Sequence, residues 1–202
     1  MLTLADIERC IGPLLLDSHH VKLYAKDSTR RVSDGLSRTA AVLIIVHSKS
    51  RTPHVLLTRR SSKLKYHTSE MSFPGGQYCR AIDPSLLDTA LRETTEEVGL
   101  CFTAEDILGR LRTVYTLTSN FTIVPFITIQ KNIPEPKVLA NEVDCVVDIP
   151  LQKTLATFEP DIEHYHISQK GVYKFTYGEF VIWGATARIL KQLYDCLHCC
   201  IT

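Results

Sequence analysis

The sequence predicts a mixed α/β (α+β) chain built on one large mixed β-sheet, and three observations predict it. Short β-branched runs at 39–47 (TAAVLIIVH) and 54–59 (HVLLTR) read as strands. A helical stretch at 86–98 and another at 185–197 are separated by further β-rich runs. The chain has 202 residues, 45% of them hydrophobic, with 9 Gly and 9 Pro, which is the make-up of one ordinary domain with a substantial core.

Residues 3–16 alternate apolar and polar positions in a helical sense, and the polar, basic stretch 27–38 reads as an exposed connection. Residues 1–38 are therefore an N-terminal helix with a connecting extension, and 39–202 the main domain. The runs 39–47 and 54–59, divided by a Ser/Lys/Pro turn, form a hairpin at the heart of the sheet. Residues 61–77 are polar and end in Phe73-Pro74-Gly75-Gly76, a loop whose glycines allow approaches that a Cβ would block. Asp83-Pro84-Ser85 starts the next helix and Gly99 stops it. Strands are expected at 111–118, 121–129, 162–168, 171–177 and 179–183. Ala187, Leu190, Leu193 and Leu197 share one face of a closing helix.

The bulk numbers exclude several function classes. A formal charge of +1, from 23 basic and 22 acidic side chains, offers no global field for nucleic acid or an anionic membrane, so anion binding must be local. Seven cysteines, odd in number and mostly scattered, read as thiols of a reducing compartment. No apolar stretch is long enough to cross a bilayer, and neither a signal nor a transit peptide is evident. The expectation is an intracellular, cytoplasmic protein, with mitochondrial and peroxisomal placement not separated from it. Cys196, His198, Cys199 and Cys200 crowd one helix end without a second ligand pair, which argues against zinc.

Glu93, Glu96 and Glu97 stand at i, i+3 and i+4, so three carboxylates share one helical face. An acidic face alone is ordinarily solvated surface. Here it follows a double-glycine loop, and hard cations such as Mg²⁺ or Mn²⁺ favour clustered carboxylates and bring phosphate oxygens with them.

The string from Gly76 through LRETTEEVGL resembles the Nudix box, G-x5-E-x7-R-E-U-x-E-E-x-G-U, with Arg92, Glu93, Glu96, Glu97, Gly99 and Leu100 on its second half and Thr94 where an aliphatic residue is usual. Counting back from Arg92 puts Pro84 at the first glutamate, with Asp83 the nearest carboxylate, so the loop is lengthened. Upstream, LLTRRSSKLKYHTSEMSFPGG is similar to the signature of the coenzyme A diphosphatases, with Lys65 in place of an arginine and Ser69 in place of a glycine. Asn141-Glu142-Val143 and Trp183-Gly184-Ala185 are also similar to late segments of that subfamily.

The resemblance implies a Nudix fold, an α/β/α sandwich around a mixed β-sheet, and hydrolysis of a diphosphate by metal-activated water with Mg²⁺ or Mn²⁺. It implies Glu93, Glu96, Glu97 and the Gly76 carbonyl as metal ligands, and Arg92 as the residue that orients Glu93 or its neighbours. The general base stays open among Glu97, Glu93 and the loop residue Glu142. Arg59, Arg60, Ser61, Lys65 and Gly75 are the expected contacts to a small-molecule substrate, coenzyme A or a related nucleotide, with 3',5'-ADP and 4'-phosphopantetheine as products. Another diphosphate substrate and a non-catalytic ligand-binding module are the competing readings, and a homodimer stays open.

Overall fold

The computed structural model describes residues 2–16, 38–62, 69–116, 120–164 and 172–201. Helix α1 (Leu4–Ile11) opens on a capping box in which Thr3 and Asp6 satisfy each other's backbone N–H groups. It buries Ile7 and Ile11, one turn apart, and packs on the C-terminal helix. Strands β1 (Arg38–Lys49) and β2 (Thr52–Arg60) form the expected antiparallel hairpin. Its turn holds Ser50 at φ 50° and Arg51 at φ 63°, the two left-handed residues that match a tight turn to the twist of the strands.

Four short strands come next. They are β3 (Met71–Ser72), β4 (Gly75–Gln77), β5 (Gly109–Arg110) and β6 (Val114–Tyr115), with helix α2 (Leu86–Val98) between β4 and β5. Two long strands, β7 (Phe121–Gln130) and β8 (Val143–Pro150), complete an eight-stranded mixed sheet. β7 runs parallel to β1 over ten residue pairs, and β8 runs antiparallel to the outer edge of β2. The remaining elements are α3 (Leu151–Leu155), a small sheet of β9 (Glu159–Pro160), β10 (Tyr173–Tyr177) and β11 (Phe180–Ile182), and α4 (Gly184–Ile201).

Strand β1 reads as an unbroken apolar run because helices cover both faces of the sheet. Ala41, Leu43 and Ile45 enter one core with Leu86, Ala90 and Val98 of α2, whereas Ile44 and Val46 enter another with Ile7, Ile11, Leu190 and Leu193 of α1 and α4. The two-residue period of the strand thus divides its side chains between two cores, which makes the α/β/α sandwich.

Three sequence expectations are corrected. The segment 61–77 is more than a loop, because β3 continues the inner edge of β2 while β4 pairs with the start of β1. The expected strand at 162–168 is absent at 162–164, where Asp161 Oδ1 accepts from the backbone N–H of His164 at 3.3 Å and closes a turn instead; 165–168 lie outside the described residues. Of 111–118 only Val114–Tyr115 is strand among the described residues, and β8 was not anticipated at all.

Candidate active site

β1 and β2 are paired from the turn to Val46 and Val55 and then part. The chain from β3 to β4 fills the opening, with the Pro74 carbonyl accepting from the Leu43 N–H at 2.8 Å. Gly75 sits there at φ 151°, and a Cβ on it would lie 2.3 Å from the Ala41 carbonyl oxygen, so only glycine fits this wedge. A Cβ on Gly76 would lie 2.5 Å from the Glu93 carboxyl carbon. The missing side chain leaves the room in which the helix carboxylate lies against the loop.

Helix α2 brings the acidic residues to this loop. Ser85 caps its first turn by accepting from the Asp88 N–H, and Gly99 ends it at φ 70°. Thr94, at an apolar position of the motif, is buried because its hydroxyl donates to the Ala90 carbonyl at 2.7 Å. Glu97 is buried, and its Oε2 accepts from the Gly75 N–H at 3.1 Å. Burial pushes its carboxyl up to about 7 against the opposing pull of that hydrogen bond. Glu93 is raised as well, by burial first, with Arg92 working against it.

Arg92 is enclosed by three carboxylates. Its Nε donates to Asp83 Oδ1 at 2.8 Å and one terminal nitrogen to Asp83 Oδ2 at 3.1 Å, while the terminal nitrogens also reach Glu93 and Glu96, each at 2.8 Å. Asp83 is buried and takes a further bond from the Thr89 hydroxyl at 2.9 Å. The Arg92 guanidinium holds the Asp83 carboxyl below its ordinary value. Asp83 is thus the carboxylate that anchors Arg92 beside the start of the helix.

A cavity of about 520 Å³ opens over this arrangement. It brings together Glu93, Glu97, Gly75, Gly76, Arg60 and Glu142 of the residues expected from sequence. The electrostatic influence of Glu142 reaches both Glu93 and Glu97, and Arg60 lies 3.9 Å from Glu142. Glu96 is more exposed, turned to Arg92, and does not line the cavity. The ligand atoms of the three glutamates are not gathered within 4.8 Å of one another, since Arg92 and the Gly75 N–H each hold part of the set.

Arg59 and Ser61 are placed away from the cavity lining. Arg59 lies 3.9 Å from Asp144 with its guanidinium over the Phe180 ring, and Ser61 is buried with its N–H donating to the Glu142 carbonyl. Lys65 falls outside the described residues.

Sequence reasoning missed the opposite wall. His164 stacks on Trp183 with ring centroids 3.9 Å apart and planes 9° from parallel, and the fully buried Asp161 holds its Nδ1 at 2.7 Å. Asp161, Glu163 and His164 carry ligand-type atoms within 4.8 Å of one another, but Lys174 lies 3.6 Å from Glu163 and the trio reads as an ion-paired brace for the aromatic wall. The available signal was the Asp-x-Glu-His spacing. No helix among the described residues is long and apolar enough to cross a membrane.

Comparison with protein families matches the NUDIX domain to residues 37–154. The chain is 34% identical over 173 residues to the uncharacterized Nudix hydrolase NudL of Photorhabdus laumondii, covering 81% of this chain and 87% of that protein. It is 36% identical over 161 residues to the human mitochondrial coenzyme A diphosphatase NUDT8, covering 76% of this chain and 66% of the human protein. Among solved structures, a NUDIX hydrolase from Alicyclobacillus acidocaldarius superposes with TM-score 0.56 at 18% identity, over 79% of this chain and 92% of that one. The NUDIX domain of Shewanella oneidensis NrtR, solved with ADP ribose, gives 0.51 at 20% identity over 59% and 77%. At these identities the structures speak to the fold. Because the family model spans more than half of the chain and relatives above 30% identity cover most of its length, the chain belongs to the NUDIX domain family, as a Nudix hydrolase.

Proposed function

We propose that this chain hydrolyses the diphosphate bridge of coenzyme A or its derivatives, giving 3',5'-ADP and 4'-phosphopantetheine, with Mg²⁺ or Mn²⁺ held by Glu93, Glu96, Glu97 and the Gly76 carbonyl. The observation that carries the reading is one cavity in which Glu93, Glu97 and Glu142 meet Arg60 above the Gly75-Gly76 backbone, with an apolar and aromatic wall facing them. The human relative named as a coenzyme A diphosphatase supports the substrate class.

The donor chemistry, carboxylates beside a backbone carbonyl, suits a hard divalent cation, with Glu96 having to turn from Arg92 to join it. Glu97 is a buried carboxylate whose ionisation is costly without a neighbouring positive charge, and Gly76 leaves the Glu93 carboxylate and its own backbone side by side. When bound, the cation supplies charge to the phosphate oxygens and lowers the pKa of an attacking water. The protein's own part is positional. The Gly75 N–H fixes the Glu97 carboxylate at the cavity, where it is the proposed base for the attacking water. Arg92, anchored by Asp83, sets the rotamers of Glu93 and Glu96 rather than touching substrate. Phe73, Ile123 and Trp183 line an apolar surface for the uncharged part of a diphosphate ester.

Chromatography of digests with Mg²⁺ or Mn²⁺ tests the reading. Coenzyme A is expected to yield 3',5'-ADP and 4'-phosphopantetheine faster than ADP-ribose or NADH is cleaved. A panel in which coenzyme A is left whole while another diphosphate is cut would reassign the substrate. A panel with no product would make the chain a binding module.

A further inference from the structure

The cavity contains a cation that the proposed chemistry leaves unused. Arg188, in the second turn of α4, lines the same space as Glu93 and Glu97. Its Nε is buried without a hydrogen-bond partner, and no carboxylate pairs with its guanidinium among the described residues. Of the other arginines near the site, Arg92 is held by three carboxylates and Arg60 lies toward Glu142, while Arg59, whose Nε is likewise buried without a hydrogen-bond partner, sits between Asp144 and Phe180 away from the cavity lining. Burial pulls Arg188 below its ordinary value, with Tyr173 opposing it. Arg188 is half-buried and its Nε has no partner, so an anion entering the cavity gains a charge-assisted bond that the guanidinium does not make within the protein.

Chemistry decides which anion: Glu93 and Glu97, with the cation they would hold, address the diphosphate, and the proposed substrate carries one further phosphate, on its ribose. We propose that Arg188 is the specificity-determining cation of this cavity: it pairs with a further phosphate of the substrate's ribose, remote from the scissile bridge, and so selects adenosine 3',5'-bisphosphate derivatives over nucleotides carrying 5'-phosphates alone. This assignment rests on the reading of the glutamates as the diphosphate site. A guanidinium with free N–H donors suits a phosphate monoester, to which it can offer two parallel bonds.

Calorimetric titration of the full chain with 3',5'-ADP and with 5'-AMP tests this without turnover. The unsubstituted protein is expected to prefer the bisphosphate by about 10- to 100-fold, the worth of a charge-assisted pair. Arg188→Met and Arg188→Gln are expected to bring the ratio within about threefold, and Arg188→Lys to keep an intermediate preference, since lysine retains charge but not the fork. Equal affinity of the unsubstituted protein for both ligands, or an undiminished ratio in the neutral variants, would overturn the proposal. Collapse of the fold in both neutral variants would overturn it too, because the cation would then serve the protein rather than a ligand. A chain that prefers the bisphosphate through Arg188 yet leaves coenzyme A whole in the digest would retain this inference and lose the proposed activity. Cleavage of coenzyme A with no role for Arg188 in the ratio would do the reverse.

Discussion

Glu97 and Asp83 are both buried carboxylates on or beside one helix, yet their surroundings drive them in opposite directions. Asp83 is matched by a guanidinium that holds it below its ordinary value, whereas Glu97 has only a backbone N–H and the charge of Arg60 against its burial and its acidic neighbours. Removing charge from each should therefore have different consequences. Glu97→Gln keeps the shape and relieves an unfavourable buried charge, so the melting temperature is expected to hold or rise while kcat falls about a thousandfold; an unaffected kcat would mean that the metal site lies elsewhere. Asp83→Asn leaves the quarter-exposed Arg92 without its main partner, and unfolding in urea is expected to show a loss of about 2 kcal/mol, with kcat falling as Glu93 and Glu96 lose their support. Gly76→Ala places a methyl group against the movable end of Glu93. Stability is expected to change little there, and kcat to drop about 10- to 100-fold through misplacement of that carboxylate.

Elements were legible where their signals are local. The caps of α2, Ser85 and Gly99, and the continuous apolar run of β1 follow from backbone chemistry within a few residues. The wedge of β3 and β4 had no such signal, because strands of two and three residues exist only through pairings with β1 and β2. The alternation of Val143, Cys145, Val147 and Ile149 fits β8, yet Asp144 and Asp148 interrupt the apolar pattern and no strand was expected there. The acidic face and the glycines of the site were readable from spacing alone. The aromatic wall and Arg188 were not, since His164, Trp183 and Arg188 meet only after the small sheet and α4 have packed. At this scale the wedge carries its own prediction. Gly75→Ala meets the β1 backbone rather than a side chain, and its φ of 151° excludes an ordinary residue. It should cost about 3 kcal/mol in urea unfolding, far more than Gly76→Ala, and a smaller loss would mean that β1 and β4 can separate without harm.

For the molecule as a whole, these carboxylates set the two limbs of a stability profile. Asp83 is lowered by Arg92, and Asp148, although burial raises it, is brought below its ordinary value by His47 and Lys49. Groups depressed in the folded state contribute stability that is present above the unfolded pKa near 3.8 and is lost as pH falls through their lower folded values. Glu97 has the opposite sign: raised from 4.5 to about 7, its contribution is full below 4.5 and is lost as pH rises through about 7. Metal-free protein in a chelator is therefore expected to lose stability between pH 5 and 8, by about 3 kcal/mol or roughly 6–12 °C in melting temperature for a chain of this size. Because histidines titrate in the same window, the decisive quantity is the difference from Glu97→Gln, which should show a flatter profile. Added Mg²⁺ should restore the midpoint more at pH 8 than at pH 5.5, since the cation binds the ionised carboxylate and competes with its proton. Parallel melting curves for the two proteins, or a Mg²⁺ effect independent of pH, would show that Glu97 is not where the cation and the proton compete.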